Sequence, residues 1–346
     1  MVYSHSLHLY LFLFLSLFLS QPSSALAQSN VGKTLDSLFT VYSDSGFAGS
    51  ALVAEHGTVT LEKGYGYADK TKKTLNTPAT LFNVASISKQ FTAYSILLLE
   101  HQGKLSTDDY ISRYFGPFGD QRDSATIHEL LAHTSGLMNK YATLDYSTRS
   151  KFIQSVKDAK MDSYPGTQYR YSNAGYSLLA AIVEVVSGVP FERFLLDNVF
   201  IPCGMQNTGF PWETRIDHTL LATGYDRNGN PLPVQADIWA ARGPNNVVTS
   251  VRDLYRWMLA YQNHRFMPAE MREKMLEDYV PGRSAYGWNK KTTSRQTRFF
   301  HKGGGRPDFE SQIMWYPDDD VVIIFCINNR IGFRARLFSK IQKIMD

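Results

Sequence analysis

The pattern of this chain changes twice along its length, and the order of those changes limits the folds open to it. Residues 31–42 carry Leu35, Leu38, Phe39 and Tyr42 at helical spacing. Two strand-like runs, 49–54 and 58–63, then flank Glu55-His56-Gly57, a hairpin signal, and residues 64–69 read as a continuation of the second strand. From Ser86 to about residue 224 the pattern is mainly helical, over 86–102, 126–132, 146–160, 176–187 and 191–200, with Gly103, Gly188 and Pro190 as stops. A helix capped by Ser250 runs to about Tyr261. Strands then return at 298–301, 310–316 and 321–328, with Asp318-Asp319-Asp320 turning between the last two, and 331–346 is an amphipathic helix with Phe333, Leu337, Ile341 and Met345 on one face. Both ends of the chain thus supply strands and a covering helix, while the middle supplies helices. The expected fold is α+β: one antiparallel sheet from residues 28–85 and 225–346, flanked by the N- and C-terminal helices, with a mainly helical lobe, 86–224, inserted. A cleft between the lobes is the expected place for a site.

The first helix of that lobe opens with a Ser-x-x-Lys pair, Ser86 and Lys89, ahead of the apolar run 91–99. Positions i and i+3 share a helix face, so the amine can reach the hydroxyl. Serine is a weak nucleophile until a base takes its proton. A lysine at a helix start, beside apolar neighbours, has its charged form disfavoured, which makes it a candidate base. Backbone N–H groups of the same turn can face a developing oxyanion. Downstream, Tyr171-Ser172-Asn173 follows the turn Pro165-Gly166-Thr167; the phenol is a candidate proton relay and the Asn173 amide can hold a substrate carbonyl or Lys89. His301-Lys302-Gly303-Gly304-Gly305 follows a strand, and its glycines allow close approach to the backbone.

These three elements, in this order, resemble the serine β-lactamase and penicillin-binding-protein superfamily, and the Tyr-x-Asn second element is similar to the class C branch. The likeness extends over about residues 30–340 and includes 66–69, 130–137 and 202–205. It implies a β-lactamase/transpeptidase-like fold and an acyl-enzyme on Ser86. Lys89 and Tyr171 share proton transfer, Asn173 binds substrate, and the N–H groups of Ser86 and Gly304 form the oxyanion hole. His301 takes the place of the third motif's first residue, where many relatives have Lys-Thr-Gly; His-x-Gly is closer to the esterases and D-amino-acid peptidases of the group. A histidine is often neutral at pH 7, so Lys302 or Arg306 is the alternative source of positive charge for a substrate carboxylate beside Gly303. Asp308 stands where relatives usually have glycine.

Residues 1–27 read as a secretory signal peptide: 7–19 is almost wholly apolar and Ala25-Leu26-Ala27 is a small-x-small cleavage site, although His5 and His8 stand where Lys or Arg is usual. The apolar core is too short to span a bilayer, so the mature chain, 28–346, is expected to be exported, periplasmic or secreted, without a stable membrane anchor. A net charge of +4 with no basic cluster argues against a nucleic-acid partner. Cys203 and Cys326 lie far apart without a Cys-x-x-Cys, and Cys326 sits in an apolar run, so two buried thiols are favoured over a disulfide or a metal site. His128 and His133 are five apart rather than four, which turns them off a common helix face and argues against zinc. No Gly-x-Ser-x-Gly and no phosphate loop occur, and no cofactor is implied. Three readings remain: a serine hydrolase acting on a small ester, amide, D-peptide or β-lactam; a penicillin-binding-type protein that is acylated but turns over slowly; and an inactive binding module. The substrate and the oligomeric state stay open.

Overall fold

Helix α1 (Val31–Asp44) and the hairpin β1 (Gly49–Glu55) and β2 (Thr58–Tyr65) come first in the computed structural model, which describes residues 31–137, 147–262, 266–329 and 332–346. The reading of residues 1–27 lies outside the described residues. Gly66, with φ 61°, ends β2, so β3 (Tyr67–Asp69) leaves the sheet and pairs with β4 (Thr74–Leu75). Residues 64 and 65 therefore prolong the second strand as expected, but 66–69 do not: a left-handed residue breaks the pleat, and a side chain there would press on Ala48. After β5 (Phe82–Asn83) come a short 3-10 turn, Ala85–Ile87, and α2 (Ser88–His101). The helical lobe continues through α3 (Ser112–Phe115), α4 (Ile127–Leu131), α5 (Arg149–Asp158), α6 (Asn173–Ser187) and α7 (Phe191–Leu195). Then follow β6 (Val248–Thr249), which pairs with β5, and α8 (Val251–Gln262), α9 (Ala269–Leu276), β7 (Asn289–Thr292), β8 (Arg298–Gly305), β9 (Glu310–Tyr316), β10 (Val321–Ile327) and α10 (Phe333–Met345). Helix α9 and strand β7 escape the sequence pattern because α9 buries only Met271 and Met275, and β7 is a short polar edge.

The large sheet is antiparallel, in the order β2-β1-β10-β9-β8-β7. Its central strands β1, β10 and β9 are buried along their whole length, as strands covered on both faces must be. On one face Leu35 and Phe39 of α1 and Phe333, Leu337 and Ile341 of α10 pack on Val53, Phe299, Met314, Ile323 and Phe325. On the other, Leu52, Phe300, Ile313, Trp315 and Ile324 join a core shared with α2, α6 and α8. Helix α2 is the axis of that second core: eleven of its fourteen residues are buried, Lys89 among them. This is the α+β arrangement expected from the sequence, and it brings the start of α2, the start of α6 and the end of β8 together.

Candidate active site

Ser86 sits in the 3-10 turn ahead of α2. The residue before it, Ala85, has φ 46°, a left-handed conformation that costs an ordinary L-residue about 1–2 kcal/mol. Neighbours hold the strain in place. Asn83 Oδ1 accepts the Ala85 N–H at 3.0 Å, Val247 carbonyl accepts the Val84 N–H at 2.9 Å, and Ser311 Oγ donates to the Val84 carbonyl at 2.8 Å. Ser86 is thus carried on a kinked, pinned turn rather than on a relaxed helix.

Lys89 is fully buried and its Nζ lies 3.3 Å from Ser86 Oγ. It donates to Asn173 Oδ1 at 2.7 Å and to the Pro244 carbonyl at 2.9 Å. Burial, and next the charge of Lys302, hold its pKa well below the usual lysine value. A neutral amine has two N–H bonds and one lone pair. In that neutral form the two carbonyl-type acceptors take both N–H bonds and leave the lone pair for Ser86, whereas the ammonium donates to all three oxygens. Tyr171 lies on the other side of the hydroxyl and donates its phenol O–H to Ser86 Oγ at 2.8 Å. Burial pushes the Tyr171 pKa up, so the phenol keeps its proton. Ser172 caps α6 through Gly175 N–H, which fixes both Tyr171 and Asn173 at the helix start.

The third element differs from the sequence reading in two places. Side chains alternate along β8, so Phe299 and His301 face α10, while Phe300, Lys302 and Gly304 face the helical lobe. The His301 ring packs on Phe299 and Phe338, at 5.2 and 4.9 Å. Burial and the cations Lys291, Lys302 and Arg334 depress its pKa to about 3, so it is neutral. Lys302, not His301, is therefore the residue of the third element that faces Tyr171. Its Nζ lies 5.8 Å from the centre of the Tyr171 ring, and burial lowers its pKa to about 8.

The second correction concerns Gly304. The Arg306 N–H bonds the Phe309 carbonyl, and in the same register antiparallel alternation points the Gly304 N–H at Ser311 on β9. At the other end of β8, the Thr293 N–H bonds the Thr297 carbonyl, which directs the odd-numbered N–H groups toward β7. Beyond His301 that side of β8 is an open edge, onto which the N–H groups of Gly303 and Gly305 project. Gly304 has a different use. A Cβ there would overlap the Val84 carbonyl, so glycine lets β8 press against the Ser86 turn.

Arg306 is turned away from this group. Its guanidinium is held by Asp308 at 3.1 Å, by Asn246 Oδ1 at 3.1 Å and by Gln235, on the wall of a separate cavity. Its charge is already matched, which removes it as the substrate's counter-ion and accounts for the acid at position 308.

His133, set aside above as a zinc ligand, is a structural group. It is buried, with φ 61°; its Nδ1 accepts the Ser172 N–H at 3.2 Å, and its ring lies 4.4 Å from that of Tyr171. His128 instead meets Tyr286 Oη at 2.5 Å. Among the described residues no His, Cys, Asp and Glu side chains cluster as a metal site, and both cysteines are free thiols. The Pro244 carbonyl, the N–H of Gly305 and the cavity residues Arg283 and Arg334 also escaped the sequence reading, since only the fold brings them near Ser86 or Lys302.

Comparison with known proteins agrees with this geometry. The family model described as Beta-lactamase matches residues 35–341. A putative penicillin-binding protein, PbpX, of Bacillus subtilis (strain 168) is 32% identical over 245 residues, covering 70% of this chain and 61% of its own length. A second protein of that strain, also named a penicillin-binding protein, is 30% identical over 336 residues, covering 87% of this chain and 72% of its own length. The chain thus spans only about three fifths of the first relative. Among solved structures, a penicillin-binding protein from Bacillus halodurans is 27% identical with a TM-score of 0.74, covering 85% of this chain and 95% of that one. A class C β-lactamase has a TM-score of 0.82 at 21% identity, covering 93% and 98%, a likeness of fold. With the nucleophile turn, the buried lysine and the tyrosine meeting as they do, the match over nearly the whole folded chain has one meaning: the protein belongs to the β-lactamase family.

Proposed function

We propose that this protein is an exported serine hydrolase that forms an acyl-enzyme on Ser86 and cleaves a small ester, amide or D-peptide whose leaving group bears a carboxylate. The observation that carries the reading is the hydrogen-bond arrangement at Lys89. Two acceptors occupy its N–H bonds, and the third direction faces Ser86 Oγ. Lys89 takes the Ser86 proton as Oγ attacks the carbonyl carbon. The oxyanion is met by the N–H groups of Ser86 and Gly305; Gly305 is preferred to Gly303 because a Gly303 Cβ would run into the Arg334 side chain, on the face turned away from Ser86. Tyr171 gives its phenol proton to the departing atom, and the Lys89 ammonium then restores it. Water attacks the ester by the same path in reverse. The Lys302 ammonium, which has no anionic partner among the described residues, receives the leaving group's carboxylate.

The names of the two Bacillus subtilis relatives favour a second reading, a protein acylated by β-lactams that releases them slowly. One experiment separates the two. The mature protein and Ser86→Ala are incubated with a carboxylate-bearing thioester, a chromogenic cephalosporin and a fluorescent penicillin. Steady turnover of the thioester, lost in Ser86→Ala, supports the hydrolase. Stable labelling without turnover supports the second reading. Turnover that survives in Ser86→Ala ends both. Export is checked separately by sequencing the N-terminus of the mature protein, with Gln28 expected first.

A further inference from the structure

Beside Tyr171 and Lys302 a cavity of about 520 Å³ runs along the open edge of β8. Its wall carries three cations, Arg283, Lys302 and Arg334. Among the described residues only one of them has an acid nearby: Glu310 lies 4.0 Å from Arg334 Nε, and that carboxylate also accepts the Arg334 backbone N–H at 3.3 Å. Arg283 is exposed and packs on the Tyr169 ring, 5.9 Å from its centre, with no carboxylate partner among the described residues. Lys302 is 5% exposed. The His301 Nε2 on the same wall is buried without a hydrogen-bond partner, and every charge acting on that imidazole is positive. Among the described residues, one acid against three cations leaves this hollow with about two positive charges unmatched.

The cavity also has a direction. Tyr171 lines it, and in the reading above Tyr171 passes its proton to the departing atom. The group that enters the cavity is then the leaving group, not the acyl chain. A single carboxylate satisfies Lys302 and leaves Arg283 without an acid among the described residues and Arg334 with only Glu310, 4.0 Å away. Resting on the hydrolase reading, we infer that the natural leaving group is a dicarboxylate, an amino diacid or hydroxy diacid, with one carboxylate on Lys302 and the second between Arg283 and Arg334. Arginine suits the second position because its planar fork matches a carboxylate in two-point contact.

The test uses three thioesters of one acyl group, with mercaptoacetamide, mercaptoacetate or mercaptosuccinate as leaving group. They carry none, one and two carboxylates. The kcat/KM ratio of mercaptosuccinate to mercaptoacetate is expected to be about tenfold or more in the wild-type protein, to fall with added salt and to approach one in Arg283→Gln/Arg334→Gln. Arg283→Lys/Arg334→Lys, which keeps the charge and loses the fork, should retain part of the preference. Affinity of the same thioesters for Ser86→Ala, measured by calorimetry, follows the same order without any turnover. A wild-type ratio of one or less, or a ratio that the Gln variant leaves intact, overturns the inference. Absence of turnover by the wild-type protein defeats the hydrolase reading, while the calorimetric order still decides this one.

Discussion

Lys302→Met removes a charge while keeping the length of the side chain, and its effect on Lys89 can be worked out. The two lysine nitrogens lie 4.9 and 5.8 Å from the centre of the same Tyr171 ring. They are therefore no more than about 11 Å apart, and at an effective dielectric constant of about 20 two unit charges at that distance repel by about 1.5 kcal/mol, which is about one pKa unit. Shorter separations give more. Burial is the larger cause of the depressed Lys89 pKa and persists in the variant. Lys89 is thus expected to titrate about one unit or more higher, still below an ordinary lysine. Because the reaction needs Lys89 neutral, the acid limb of kcat/KM moves to higher pH by the same amount. The assay uses a nitrophenyl ester of a neutral acyl group, so that no carboxylate contact changes with the mutation, and Lys302→Arg should return the limb toward its original position. A limb that stays where it was, or moves down, would show that Lys89 is not the titrating base or that Lys302 does not act on it.

Other outcomes follow from the same geometry. With a carboxylate-bearing substrate, kcat/KM should fall as pH rises through about 8, where Lys302 loses its proton, and that fall should be missing with a neutral ester. Tyr171→Phe should slow hydrolysis of an alkyl amide or ester by about 10²–10⁴ and a nitrophenyl ester far less, since nitrophenolate leaves without a proton; equal losses on both would remove Tyr171 as the leaving-group acid. Gly305→Pro should lower kcat by about 10²–10³ with a thermal midpoint near wild type, because proline is tolerated where a strand's N–H faces an open edge. Gly304→Ala should instead lower the midpoint, because the new methyl group meets the Val84 carbonyl.

Much of this arrangement was legible in the residues, and the failures have physical causes. The strands β1, β9 and β10 stand out because a run buried on both faces must be apolar throughout. That Ser86, Lys89, Tyr171 and Asn173 would meet was legible because they stand at fixed offsets from two helix starts. The third element was misread by one position. In a strand a shift of one reverses which face a residue shows, so reading the motif from His301 rather than Lys302 exchanges the cleft for the α10 face. The same parity decides which glycine N–H reaches the open edge. It depends on the hairpin at residues 306–309 and on where β7 begins, and neither is written in the local pattern. Pro244 contributes only a carbonyl, which any residue can offer. Arg306 looked like part of a substrate site because its pairing with Asp308 is visible only in three dimensions.

Two lysines buried against one tyrosine ring are an expense that packing alone would never select, and this gives the functional reading a thermodynamic consequence. Lys302 has a pKa of about 8 in the folded chain and about 10.4 when unfolded. Between those values the unfolded state binds more protons, so stability rises with pH across that window. Below about 8 both states are charged, and the folded protein bears the full penalty, about 3 kcal/mol. Lys302→Met has no charge to desolvate, so at neutral pH it should be more stable than wild type by up to that amount, less whatever packing the thioether fails to recover, and its advantage should shrink as pH approaches 10. Urea unfolding at several pH values measures this. A variant less stable than wild type at neutral pH, or an advantage that does not change with pH, would mean that the Lys302 ammonium is satisfied by the fold. An ammonium already satisfied by the fold would have no reason to wait for the carboxylate of a substrate.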